Sequence, residues 1–360
     1  MDLNRMTQTD ISTLVGLVSQ YSPSGKEHGA VDWLVKRMKF LGYEQAFMDA
    51  AGNAVGVMGT GQKQVVLLGH IDTVPGEIEL VQYANLLYGR GAVDAKGPLA
   101  CFVDAVARMG KKEGWQFVVI GAVEEERDSD GARFVVENYK PDFVIIGEPN
   151  RWNRIALGYK GTAWTTVTIK CEQAHTASGK QTAAEAAVEA WLIIKSYVDT
   201  FNTDKKKLFD KLLLTLSSIT SASNDFEQWA SLKIGVRLPV NVSPADWYRE
   251  LNVLLKVPET FTALAEPTGF ALPAWKGKKN TPLVRAFLKG IRQQGGEPGF
   301  VYKMGTADIN VVAPVWKCPA VVYGPGDSAL DHTPLEHIEL KEYSKAMDVL
   351  VSTLTTLTME

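Results

Sequence analysis

A mostly parallel α/β sheet protein interrupted by a small ferredoxin-like α+β module is the architecture this sequence predicts. Three observations point to it. Short runs with the character of buried strands, VVLL at 65–68, FVVIGA at 117–122 and FVII at 143–146, alternate with amphipathic stretches of helical period, the order of a parallel sheet. Between Ala163 and Glu266 the pattern changes to longer, half-exposed strands around two helices. The length, 360 residues, also exceeds what most single cores use, so two domains are expected.

The elements follow in order. Segments 8–20 and 26–41 carry apolar residues at helical spacing, among them Val31, Leu34, Val35 and Met38, and are split by the turn-forming Ser22-Pro23-Ser24-Gly25. A hairpin then precedes the strand at 65–68, whose apolar, β-branched run suits an interior parallel strand. Helices at 98–109 and 131–139 separate the strands at 117–122 and 143–146. In the inserted module, 163–171 alternates as a strand, 182–201 is a long helix, 213–220 and 231–238 are strands, 244–255 is a helix and 261–266 a strand. The first pattern resumes with a helix at 282–294 and a strand at 320–323. In the final helix, Leu340, Tyr343, Met347, Leu350, Val351 and Leu354 share one face. The expected division is 1–161 with 268–360 for the larger domain and 162–267 for the insertion.

Composition narrows the function classes. With 46% apolar and 22% charged residues the chain is an ordinary globular protein. A net charge of −3 without a basic stripe argues against nucleic acid as partner. No apolar run approaches the roughly 20 residues of a membrane span, and the N-terminal pattern is not that of a signal peptide, so no membrane association and a cytoplasmic location are expected. Cys101, Cys171 and Cys318 are odd in number, far apart and outside any CxxC, which leaves His and carboxylate as the ligands for any metal.

Such residues gather where the predicted strands end. His70 and Asp72 follow the strand at 65–68, and in extended chain they share a face, so a carboxylate can orient a metal-binding imidazole. Asp94 in YGRGAVDAKGP, Glu124-Glu125-Glu126 after FVVIGAV, Glu148 in FVIIGEP and His332 in YGPGDSALDHTP sit at similar points. The carboxyl edge of an open parallel sheet is where ligands bind. So many like charges at one edge would repel unless cations offset them, and carboxylates with two imidazoles, Asp94 being shared, suggest a dinuclear zinc site.

Taken together, GHIDTVPG, YGRGAVDAKGP, EEERDSDGAR, IIGEPN and DHTPLEHIEL resemble, in order and over nearly the whole chain, the motifs of the zinc-dependent M20 family of metallopeptidases and amidohydrolases. The resemblance implies a zinc-binding α/β domain interrupted by a ferredoxin-like lid, with two Zn2+ per subunit for which Co2+ can substitute. His70 and Glu148 would be terminal ligands of one ion, Glu126 and His332 of the other, with Asp94 between them and a cis peptide after it. Amide hydrolysis follows, with Glu125 as the base that takes a proton from water and returns it to the leaving amine, and Asp72 orienting His70. Three consecutive glutamates also admit Glu124 as base and Glu125 as ligand. The register of the downstream SDGAR favours Glu125 and Glu126.

In the insertion, His175 in KCEQAHTASGK resembles the family's lid histidine, which reaches the active site of a partner subunit and helps hold the oxyanion, so a homodimer joined through its lids is implied. Arg237 in KIGVRLP matches the lid arginine near the substrate carboxylate. Lys160 in LGYKG and Thr306 with Asp308 in MGTADIN fall at motifs near the substrate pocket.

Finer likeness in YSPSGKE, GHIDTVPG, YGRGAVDAKGPLA, GAVEEE and LGYKG points, within the family, to hydrolases that free lysine or ornithine from the C-terminal γ-glutamyl linkage of an acidic amino-group carrier protein, in lysine and arginine biosynthesis. Lysines at 205–207 and 276–279 would then dock the acidic carrier. Acetylornithine deacetylase or succinyl-diaminopimelate desuccinylase activity, on a free acyl amino acid, is the other enzymatic reading. A non-catalytic relative that binds amino acids or a protein is the reading outside enzymes, against which the complete set of ligands and base weighs.

Overall fold

The structure, a computed structural model, describes residues 11–359. The first helix runs over Ser12–Val18, and positions 8–10 of the expected helix lie outside the described residues. The chain divides into two compact units, one built from 11–157, 277–301 and 307–359, the other from 158–276 with 302–306.

At the centre of the first unit four parallel strands stand in the order Trp115–Ala122, Lys63–His70, Phe143–Gly147, Ala320–Val322. The hairpin Gln45–Met48 and Ala54–Met58 adds antiparallel beside the first, and Arg154–Tyr159 pairs antiparallel with the last. Val65, Val66, Leu67 and Leu68 are completely buried, as is expected of a strand with helices on both faces of its sheet. Helices Ser12–Val18, His28–Phe40, Lys96–Met109, Asp130–Asn138, Pro282–Gln293, Ile309–Trp316 and Leu340–Met359 complete the unit. The last buries Tyr343, Met347, Leu350 and Leu354.

Register aligns the strand ends. His70 lies opposite Ala122, and Gly69 lies opposite both Gly121 and Gly147. The segments carrying His70 to Asp72, Glu124 to Glu126 and Glu148 therefore leave the sheet at one level, as the switch-point rule for parallel sheets requires.

The second unit is a four-stranded antiparallel sheet in the order Leu213–Ser223, Glu227–Leu238, Gly161–Glu172, Phe261–Pro267. Helices Ala183–Asn202 and Pro244–Leu254 share its core, where Ala187, Ile194, Trp247 and Leu251 meet Val167, Ile169, Leu232 and Ile234. Numbered along the chain, the strand order is 2-3-1-4, that of a ferredoxin-like module. Both helices start with capping boxes, Thr182 with Glu185 and Ser243 with Asp246. Strand Leu213–Ser223 is at the sheet edge and exposed from Ser217 onward.

Several elements lie outside the sequence expectations: the strands Arg154–Tyr159 and Gly299–Lys303, the helix Ile309–Trp316, and a small sheet of Val81–Tyr83, Leu86–Tyr88 and His337–Glu339. Among the described residues no helix is long and apolar enough to cross a membrane.

Candidate metal centre

His70 closes its strand with the ring buried. Its Nδ1 lies 3.0 Å from the main-chain oxygen of Asp72. A carbonyl can only accept, so Nδ1 carries the proton and Nε2 is the ligand atom. That Nε2 faces Asp94 Oδ1 at 3.3 Å, while Asp94 Oδ2 is 3.0 Å from His332 Nε2. His332 Nε2 is also 3.0 Å from Glu126 Oε1. One carboxylate thus offers a separate oxygen to each imidazole.

The ligand atoms fall into three overlapping groups, each within 4.8 Å: His70, Asp94 and Glu148; Asp94, Glu126 and His332; and His70, Glu125 and Glu126. The loop carrying Asp94 is tight. Gly91 has φ +84°, and a Cβ there would come within 2.9 Å of Lys96 Cδ and Thr73 Cγ2, so only glycine fits. The Asp94–Ala95 peptide is cis.

The electrostatics fit divalent cations. Burial holds the Glu148 carboxyl well above its usual range, and burial together with Glu148, Asp308 and Glu126 does the same for Glu125. Burial pushes Asp308 up to about 7. Burial alone would raise Asp94, but the His332 and His70 imidazoles hold it well below the carboxylate range. Burial alone would depress His70, yet Asp72 and Asp94 raise it well above normal. Asp94 and Glu126 bring His332 to about 10. In this enclosed set of acids the imidazoles would take up protons to offset the negative charge. Two divalent ions would do so more fully, and the mixed imidazole and carboxylate donors suit zinc-type ions.

The glutamate triplet is differentiated by its backbone. Glu124 has φ +61°, its side chain pairs with Arg127 at 2.8 Å, and its carbonyl accepts the N–H groups of Asp128 and Ser129. Glu125 and Glu126 turn toward the histidines. Glu125 and Glu126 are both half-buried.

Asp72 faces His70 twice, through its main-chain oxygen at 3.0 Å from Nδ1 and its carboxylate at 3.5 Å. Oδ1 also accepts the N–H of Glu125 at 3.1 Å, and Oδ2 accepts the N–H of Glu126 at 3.1 Å and Ser24 Oγ–H at 2.7 Å. The side chain therefore orders the glutamate loop as well as facing the histidine. Ser24, within YSPSGKE, is a contributor the sequence reading had not singled out, because its partner is remote in the chain.

The remaining candidates belong to the second unit. Arg237 is half-buried, and its Nη1 donates to Thr306 Oγ1 at 3.3 Å. Lys160 is completely buried, with Nζ donating to the carbonyls of Phe209 at 3.0 Å and Lys211 at 2.5 Å. That ammonium is engaged by main chain. His175 is exposed, and its Nδ1 accepts the N–H of Ala177 at 3.1 Å, so Nε2–H is left as a donor.

The sequence model of peptidase family M20/M25/M40 matches residues 66–356. The chain is 40% identical over 353 residues to the LysW-lysine hydrolase of Deinococcus radiodurans, covering 94% of each. It is 30% identical over 332 residues to the LysW-lysine/LysW-ornithine hydrolase of Saccharolobus solfataricus, covering 91% of this chain and 90% of that one. The Bacillus subtilis YXEP protein, a dinuclear metal binding peptidase from the M20 family, has the same fold, with a TM-score of 0.72 at 12% identity over 97% of this chain and 98% of that one.

Proposed function

The chain belongs to peptidase family M20/M25/M40, and from that footing we propose that it is a dinuclear metal amide hydrolase that frees lysine or ornithine from the C-terminal glutamate of the carrier protein LysW. The observation that carries the chemistry is the pair of ligand groups sharing Asp94, with Glu125 beside them. The substrate follows from likeness to two hydrolases that act on LysW-linked amino acids, each over more than nine-tenths of this chain.

His70, Asp94 and Glu148 would hold one ion, and Asp94, Glu126 and His332 the other. When bound, two zinc ions, or cobalt in their place, polarise the amide carbonyl and lower the pKa of water at the site. Glu125, a carboxylate made more basic by burial and its acidic neighbours, takes the proton from water and gives it to the departing amine. Asp72 keeps Glu125 and Glu126 in register through their amides.

The 162–267 segment acts as a lid and dimerisation domain. The free Nε2–H of His175 donates to the oxyanion at the partner subunit's site. Arg237, oriented by Thr306, meets a substrate carboxylate with its planar guanidinium. The exposed lysines 206, 207, 278 and 279 attract the acidic carrier. The setting is biosynthetic and cytoplasmic.

The test is hydrolysis by metal-loaded protein of carrier-linked lysine and carrier-linked ornithine, against free acetylornithine and succinyl-diaminopimelate. Release from the carrier alone supports the proposal, and the ratio of lysine to ornithine assigns the amino acid. Release from the free acyl amino acids alone transfers the protein to the deacylases.

A further inference from the structure

We infer that Glu336 is a positioning residue for Asp94: its buried carboxylate grips the main chain at that residue and so fixes how the two metals are shared. The inference rests on the metal reading above.

Glu336 is completely buried. Its Oε1 accepts the N–H of Val93 at 2.9 Å and of Asp94 at 3.1 Å. Its Oε2 accepts Arg90 Nη1–H at 2.8 Å, and its carbonyl accepts the N–H of Gly89 at 3.3 Å. Arg90 is in turn fixed by donating from Nε to the carbonyl of Gly76 at 2.8 Å. A single side chain thus closes the turn whose last residue sends one oxygen toward His70 and the other toward His332.

Glu336 also follows His332 in the same loop, just before the strand His337–Glu339, and His337 pairs with Tyr88 on Leu86–Tyr88. The segments carrying Asp94 and His332 are therefore joined twice, by the strand pairing and by the carboxylate.

A buried ion pair can also serve stability alone, and removing one partner leaves an uncompensated charge. Two double variants separate these roles. Arg90→Met with Glu336→Gln removes both charges and keeps an oxygen for the two amides. Arg90→Met with Glu336→Met removes both charges and that oxygen.

Isothermal titration with Zn2+ and the visible absorption of the Co2+ adduct report the site without recourse to turnover, and circular dichroism reports the fold. The Gln variant is expected to bind both ions nearly as wild type does. The Met variant should bind about 10- to 100-fold more weakly and shift the cobalt spectrum, as loss of outer support for a ligand does. Equal affinities and spectra in the two variants overturn the role of Glu336, whereas wild-type protein that takes up fewer than two ions overturns the metal reading itself. Should the Met variant fail to fold, Glu336→Asp, which keeps the charge but is one methylene too short, is compared with Glu336→Gln. Weaker binding by Asp sustains the inference, and equal binding ends it.

Discussion

Asp72 Oδ1 accepts the main-chain N–H of Glu125 at 3.1 Å, so the acid two residues beyond His70 holds the main chain of the glutamate proposed as base. Asp72→Asn keeps the shape and removes half of the acceptor capacity that Glu125, Glu126 and Ser24 use. Turnover should fall by about 10- to 100-fold while the His70 main-chain contact survives. Steady-state kinetics with metal analysis check this, and a kcat within twofold of wild type would remove the loop-ordering role.

The glutamate register gives a sharper contrast. Glu125→Gln should lower kcat by about 100- to 10,000-fold and leave metal content intact, as loss of a general base does. Glu124→Gln loses only a partly exposed pair with Arg127 and should stay within about twofold. Reversal of the two results would assign Glu124 as base and Glu125 as ligand.

The proposed action of His175 across a dimer can be read from mixtures. Glu125→Gln and His175→Ala are each expected to be nearly inactive. Refolded together in equal amounts, half the dimers are hybrids with one complete site, which gives about a quarter of wild-type activity. Recovery limited to the sum of the parents, or a fully active wild-type monomer in sedimentation, would exclude action across the dimer.

Salt distinguishes docking from chemistry. The lysines at 206, 207, 278 and 279 are exposed, and surface attraction is screened over about 8–10 Å at physiological ionic strength. Raising salt should increase KM for the LysW-linked substrate more than for γ-glutamyl-lysine. Parallel responses would leave the clusters as solvated charge.

Lys160 makes stability depend on pH in a defined direction. Burial lowers it from its usual 10.5 to about 8 in the folded protein. Between those values the unfolded chain binds a proton that the folded one does not, so this residue's contribution rises with pH across that window and is constant below it. Urea midpoints of wild type and Lys160→Met at pH 7 and pH 10 measure it. The difference should move in favour of wild type at the higher pH, and a pH-independent difference would contradict the shifted lysine.

The parallel strands are legible in the sequence because a strand buried on both faces must be a continuous apolar run, as Val65 to Leu68 is. The alternation of Ala163, Val167 and Ile169 with half-exposed Thr166 and Thr168 similarly identifies the module's strand. Gly299–Lys303 escapes because all its residues are half-buried and no period appears. Helix Ile309–Trp316 escapes because it is short and contains Pro314. At the site, residue types at strand ends point to a cluster, whereas Asp72, Ser24 and Glu336 are defined by main-chain amides or side chains far along the chain. A buried carboxylate such as Glu336 is spelled like any surface acid, and only packing reveals the difference.

The sheet also has a history during synthesis. Phe143–Gly147 has Lys63–His70 on one side and takes its second parallel neighbour from Ala320–Val322, beyond the inserted segment in the chain. At about 5–20 residues per second a nascent chain spends roughly ten to thirty seconds with that strand edge open. A chain whose translation stops after the insertion would display an unfinished sheet. It would lack both His332 and Glu336, so the proposed second ion site is completed only by the last segment of the chain.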